Sequence, residues 1–499
     1  MSNRWSEAQA VPSSSAAVRT SRPPRYGLVV ASLASLAVVA SAMQVLVVPI
    51  LGSLGPILHT SADNAAWAVT ITPVVSAVFM AVTGRLGDAL GKRRVVITIT
   101  VPMIAGLVIS GLATSLPWML VGRGLQGVSL GVVPLGISLM RDLLPPERLG
   151  ISVAIMSASV GVGGSLGLPV AAIVAEVWGW NVMFLGVGGL AVVMLVLVVT
   201  AVPSDGPHHS DGPLRFDWIG AILLGAALVC LLLPVSKGAA WGWASPVTLG
   251  LFAATVVAAV FWVRAELRHP APLVDLRTLT RPTVAWTNVA SLVITFAMYV
   301  QFLVLPQVLQ LPTGTGYGLG HSMLTMSLWY APGGLAMLAV TPLTGHLERR
   351  IGARRVLMLA CGVIAVSYVA ALPLIRTEVG VLAVSLLVNV GVGLGFGVVP
   401  VLLMSAVPVE QTGAANGFNM VARNIGSSTA AAVIGAVVAT MTTGYAGEAV
   451  PSLAGFHAAL LAGAATALVA LVCAARLPGR RRQRLHEDGL LGEEPPPER

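Results

Sequence analysis

Charge is scarce in this chain: Asp, Glu, Lys and Arg make up 10% of its 499 residues, whereas 56% are hydrophobic. Globular domains carry about 25% charged residues, so the composition points away from a soluble cytosolic enzyme and toward a chain whose solvent is lipid. Cysteine is scarcer still. Cys230, Cys361 and Cys473 all sit inside apolar runs, where they read as small buried hydrophobes, and no disulfide framework or zinc site is implied. No Gly-x-x-x-x-Gly-Lys-Ser/Thr loop occurs, which argues against ATP drive within the chain. No motif pairs a nucleophile with a base, and His208-His209 stand in a Pro/Gly-rich loop without clustered acidic or cysteine partners. Catalysis, a bound metal and any other cofactor are therefore not expected. A last absence concerns the 20 Asp and Glu residues, none of which falls in the middle of an apolar run; Asp88, Asp142, Glu176 and Asp217 lie at run ends.

What is present is a succession of apolar runs bounded by charge or by Pro and Gly, at about 27–51, 65–84, 95–113, 118–140, 150–175, 182–202, 218–235, 247–263, 284–310, 321–344, 355–375, 380–404, 414–440 and 455–475. At about 20 residues per crossing, these are fourteen candidate transmembrane helices, and the fold class expected is an all-α integral membrane protein. An even number of crossings puts both termini on one side. Of the 29 Lys and Arg residues, all lie with the termini except Lys237 and Arg376 in opposite-side loops and Arg123 and Arg423 within runs. The positive-inside rule then makes the terminal side cytoplasmic and the membrane a cell (plasma or inner) membrane. The formal charge of +9 is thus a topological signal, and no nucleic-acid partner is expected. Residues 1–25 and 477–499 are too polar and too rich in Ser, Pro, Arg and Glu to bury a core, which predicts disordered cytoplasmic tails.

The most informative feature is an internal repeat. Gly84-Arg85-Leu86-Gly87-Asp88-Ala89-Leu90-Gly91-Lys92-Arg93-Arg94-Val95 follows the second run, and Gly345-His346-Leu347-Glu348-Arg349-Arg350-Ile351-Gly352-Ala353-Arg354-Arg355-Val356 follows the tenth, 261 positions later with six of twelve residues identical. Gly131-Val132-Val133-Pro134 returns as Gly397-Val398-Val399-Pro400 at a similar offset of 266. Two parallel halves of six helices, related by an axis along the membrane normal, are implied. The organisation expected is a six-helix bundle over 26–202, linkers and two inserted helices over 203–283, and a second six-helix bundle over 284–476.

The first of these loops resembles the signature loop of the major facilitator superfamily, Gly-x-Leu-x-Asp-x-x-Gly-x-Arg-Arg. The resemblance implies a conformational switch at Gly84, Asp88, Gly91, Arg93 and Arg94, with Gly345, Gly352, Arg354 and Arg355 as counterparts, and a bond from Asp88 to the N-terminal end of the 414–440 helix in the other half. Fourteen runs with two between the halves resemble, within that superfamily, the fourteen-span drug:proton antiporter family. Trp67, Trp178-Gly179-Trp180 with Phe184, Arg123-Gly124-Leu125-Gln126-Gly127 and Arg423-Asn424-Ile425-Gly426 carry this likeness. The family's fifth-span antiporter motif survives here as Gly161, Gly163, Gly164, Gly167 and Pro169, with Gly163, Gly167 and Pro169 as a candidate hinge. The family's first-span acidic residue is replaced, since Val39-Ala40 stands where a Leu-Asp pair would align upstream of Pro49.

The remaining polar residues of the runs are the candidates for substrate contact or coupling. An arginine at mid-membrane costs about 2.5–3.5 kcal/mol on insertion scales and usually faces a cavity. Arg123 with Gln126, and Arg423 with Asn419, could line a polar passage together with Gln44, Asn288, Gln301 and Asn389. Arg123 is expected to attract an anionic or strongly polar substrate, or to tune a neighbour. His457 could titrate near neutral pH. The function expected is a secondary-active exporter of small organic molecules, such as an antibiotic, working by alternating access with protons as the coupling ion. The alternatives are an importer or facilitator of an anionic metabolite, and a membrane sensor or scaffold without transport.

Overall fold

The computed structural model describes residues 26–203, 217–269, 272–408, 411–446 and 448–477. The tails predicted to be disordered and the His208-His209 pair lie outside the described residues. Among the described residues, thirteen helices are long and apolar enough to cross a membrane, and a bent pair makes a fourteenth. In chain order these are α1 (Tyr26–Val45), α2 (Trp67–Leu90), α3 (Lys92–Gly111), α4 (Leu116–Leu143), α5 (Pro146–Trp178), α6 (Trp180–Ala201), α7 (Trp218–Trp241), α8 (Pro246–Arg268), α9 (Pro282–Gln310), α10 (Met323–Ala339 continued by Thr341–Ile351), α11 (Ala353–Leu374), α12 (Glu378–Ala406), α13 (Thr412–Thr440) and α14 (Leu453–Arg476).

Helix boundaries follow local chemistry. Ser245, Ser322, Thr377 and Ser452 cap α8, α10, α12 and α14 through side-chain oxygens that accept the N–H three residues on, the usual remedy for unpaired first-turn donors. Between α2 and α3 the chain turns at Gly91 with φ 101°, and between α10 and α11 at Gly352 with φ 86°. Both positions need the left-handed region that only glycine enters freely, so the repeated glycine of the sequence marks a repeated turn.

Some boundaries differ from the sequence reading. The first run was expected to stay helical to residue 51, yet α1 ends at Val45, because Pro49 has no N–H to close on the Val45 carbonyl. The tenth run bends by 44° after Ala339, where Pro342 opens the second segment without a backbone donor. Lys237 is not in a loop: it lies in α7, 4.8 Å from the Trp67 ring. The segment after α13 forms a short antiparallel hairpin, Thr442–Tyr445 with Glu448–Pro451, which Tyr317 ties down by donating to the Pro451 carbonyl.

Three apolar cores organise the bundle. One gathers α1 and α3 to α6 around residues such as Leu33, Met103, Leu107 and Phe184. Another gathers α9 to α14 around Ile294, Ile364, Tyr368, Phe396 and Phe456. A smaller one joins α7 and α8 to α2 and α13 through Val74, Ala77, Leu228, Leu232, Trp262 and Val421. The halves meet where α2 packs on α13 and α5 on α10. Helix α8 packs mainly on α7 and leaves Val256, Val257, Val260 and Phe261 exposed. An unpartnered apolar face of this length is a lipid-facing surface.

Candidate gate and substrate pathway

At the end of the bundle that carries the two basic loops, the last turn of α2 sits on the first turn of α13. Asp88, with 2% of its side chain exposed, accepts the Gly413 N–H at 3.2 Å and the Ala414 N–H at 3.0 Å. These are first-turn donors that no intrahelical carbonyl can reach, and a carboxylate there also meets the positive end of the helix dipole. The approach requires glycine on both sides. A Cβ on Gly84 would lie 2.5 Å from the Gly413 oxygen, and one on Gly413 would lie 2.6 Å from the Asp88 carboxylate. Lys92 stands 3.8 Å from Asp88 and 2.7 Å from Asp142, tying α2, α3 and α4 together. Nearby, Arg141 at the end of α4 donates to Thr412.

The second loop makes the related contact. A Cβ on Gly345 would lie 2.9 Å from Ile151, which places the end of α10 on the start of α5. The arginines also repeat their work: Arg93 donates to the Val199 and Val202 carbonyls at 2.7 and 2.9 Å, at the end of α6, and Arg354 donates to the Ala475 carbonyl at 2.7 Å, at the end of α14. Each caps unpaired terminal carbonyls with positive charge. Arg94 and Arg355 follow in the first turns of α3 and α11.

Arg123 is fully enclosed. It donates from Nε to the Ala68 carbonyl at 2.9 Å, from Nη1 to the Met43 carbonyl at 2.8 Å and to Gln126 Oε1 at 2.7 Å, and from Nη2 to the Gln44 carbonyl at 3.2 Å. Gln126 in turn donates to the Gly106 carbonyl and Ser110. The side chain therefore clamps α1, α2 and α4 through four of a guanidinium's five donors. Gln44 takes part through its carbonyl. In α5, Gly163 and Gly167 seat the helix on α1 against Val38 and Ala42, and Pro169 lies within an unbroken helix.

The polar candidates of the second half form two separate networks. Asn419 donates to Asn288 at 2.9 Å and accepts from Ser291, joining α13 to α9. Asn389 donates to Gln301 at 3.4 Å, joining α12 to α9. Next to Asn389, the buried Gln301 Nε2 and Ser385 Oγ lack partners among the described residues. Arg423 lies with its guanidinium 3.5 Å from the centre of the Phe396 ring. His457 lies one turn into α14, at the hairpin end, with a buried Nε2 that has no partner among the described residues. Between the halves, Asn424 donates to Ser76 at 3.2 Å.

One acidic group escaped the sequence reading. Glu266 falls past the predicted run of 247–263, but α8 continues to Arg268 and buries it. Trp262, one turn earlier, is buried and donates to Glu266 at 2.9 Å. Asp217, the N-cap of α7, accepts from Gly220 at 2.7 Å, and its other oxygen faces His269 at 3.9 Å. A Cβ on Gly220 would touch both carboxylates, so the two acids share one buried corner of the inserted hairpin. The tryptophan four residues before Glu266 was the available signal.

Comparison with known proteins agrees with this architecture. The chain is 25% identical over 295 residues to the uncharacterized transporter YhcA of Bacillus subtilis, spanning 59% of this chain and 54% of that protein's length. It is 30% identical over 391 residues to the multidrug resistance protein Stp of Mycobacterium tuberculosis, spanning 76% of this chain and 69% of Stp. In fold it is similar to the proton:xylose symporter XylE, with a TM-score of 0.61 at 14% identity over 90% of this chain and 94% of that one. The sequence model of the Major Facilitator Superfamily matches residues 33–431, and the chain belongs to that superfamily of membrane transporters.

Proposed function

We propose that the protein is a secondary-active exporter of small organic molecules, of the drug or antibiotic type, seated in the cell membrane with both termini and the two basic loops in the cytoplasm. The observation that carries this reading is the contact of Asp88 with the start of α13, echoed by Gly345 against α5. Each seals one half against the other through a few polar bonds and bare glycine contacts. A seal of this kind can be broken without unpacking either six-helix core. That is what alternating access by rocking of two halves requires. The cytoplasmic mouth is then the closed one in this structure. The likeness to Stp, described as a multidrug resistance protein, supports export of organic compounds, and the basic loops support the orientation.

Protons are the proposed coupling ion. With no carboxylate at mid-span, the groups placed to exchange a proton are the Asp217–Glu266 corner faced by His269 and His457 with its unpartnered Nε2. Uptake of labelled compounds into everted membrane vesicles tests the function. Accumulation that follows energisation and needs this protein supports export; its absence across a broad compound panel, with the protein present in the vesicles, contradicts it.

A further inference from the structure

Arg423 is a cation that the described part of the bundle has not neutralised. The residue is 6% exposed, and its hydrogen-bond acceptor among the described residues is the Met420 sulfur, 3.6 Å from Nη1. A thioether is a weak acceptor, and a guanidinium has five donors. Among the described residues no oxygen acceptor meets the nitrogens left over, and the residue keeps a small exposed fraction. Arg123 is the opposite case, with its donors spent on carbonyls.

The surroundings of Arg423 hold it in place without taking its charge. Phe396 stacks on the guanidinium, a contact that positions a cation and leaves its in-plane donors available. Tyr299 faces both Arg423 and Ser427. From Tyr299 the rings continue to Phe302, 5.6 Å away between ring centres, and Phe302 in turn lies 5.4 Å from the buried Tyr330. Planar donors next to a run of ring faces match a molecule that carries an acidic group on an aromatic body.

Resting on the reading of the bundle as a small-molecule transporter, we propose that Arg423 is the anion-receiving residue of its substrate site, and that the preferred substrates are aromatic organic anions whose rings lie along Tyr299 and Phe302. An aromatic cation of the same size would meet an uncompensated positive charge and be rejected.

Two xanthene dyes of opposite charge test this: fluorescein as the anion and tetramethylrhodamine methyl ester as the cation. Binding is measured on the purified full-length protein in detergent, and fluorescein flux in proteoliposomes. The expected result is that the wild type binds fluorescein more tightly than the rhodamine ester, that Arg423→Gln lowers fluorescein affinity about tenfold or more without weakening the rhodamine ester, and that Arg423→Lys keeps an intermediate preference for the anion. The lysine variant and an unchanged melting temperature separate loss of the site from loss of fold. The proposal is overturned if the wild type binds no fluorescein, if it does not distinguish the dyes, or if Arg423→Gln leaves their ratio unchanged. Fluorescein binding that depends on Arg423, without any flux, upholds the site and contradicts transport.

Discussion

Asp88 at the end of α2 holds the first turn of α13, accepting from the backbone N–H groups of Gly413 and Ala414 at 3.2 and 3.0 Å. One carboxylate thus joins the two halves by neutralising donors that the helix cannot satisfy itself. Hydrogen bonds to a charged group contribute about 1.5–3 kcal/mol, enough to bias a two-state equilibrium by one to two orders of magnitude. On the proposed alternating-access reading, a contact of this size closes one mouth and can still be released.

Asp88→Asn keeps the shape and removes the charge. Turnover is expected to fall about tenfold or more while membrane insertion stays normal. A cysteine at Ala415, beside the seal, should become more reactive toward an impermeant maleimide applied from the side of the basic loops. Normal turnover at a normal protein level would reduce the loop to a topological signal.

Much of this was legible in the sequence because its strongest signals are periodic. Run length set the fourteen crossings, and the twelve-residue repeat identified equivalent turns, so that Gly91 and Gly352 share a backbone conformation and Arg93 and Arg354 share a capping role. What the sequence could not convey was which polar side chains find partners. Arg123 and Arg423 look alike as arginines in apolar runs, yet one is consumed by carbonyls from α1 and α2 and the other rests on Phe396. That difference depends on which neighbouring helix exposes a carbonyl, information held in packing rather than in pattern. Glu266 was missed for a related reason: helix propagation beyond an apolar run follows from the α7–α8 contact, not from hydropathy.

The clamp reading of Arg123 makes its own prediction. Arg123→Gln leaves carbonyls of α1 and α2 without donors, each at about 1–3 kcal/mol, so the melting temperature in detergent should drop markedly and the yield with it. Arg123→Lys should rescue only in part, because one ammonium cannot reach carbonyls on two helices and Gln126 together. The discrimination between anionic and cationic dyes should be unchanged in whatever protein folds. A stable Arg123→Gln with altered charge preference would move the anion site to the first half.

Proton coupling is tested with imposed pH and voltage gradients in proteoliposomes. If the inserted hairpin carries the exchanging group, Glu266→Gln loses the response to a pH gradient while substrate counterflow, which needs no net proton movement, persists. If His457→Gln loses it instead, the coupling group is in α14. A pH response intact in both variants would contradict coupling through either site.

Orientation is checked with cysteines introduced singly after replacement of Cys230, Cys361 and Cys473. A cysteine at Gly242, in the turn between α7 and α8, should react with an impermeant reagent outside intact cells, whereas tags at both termini should be reached only after permeabilisation. An externally accessible C-terminus would overturn the charge argument for topology.

The central claim is that the halves must separate along α2 and α13 for transport to occur. Ser76 and Asn424 meet across that interface at 3.2 Å, so Ser76→Cys with Asn424→Cys, in a background without the native cysteines, can be joined by mild oxidation. Flux through proteoliposomes carrying this pair is the direct measurement. The account predicts that flux falls to background on oxidation and returns on reduction, with each single cysteine unaffected. Undiminished flux through the cross-linked protein would contradict it.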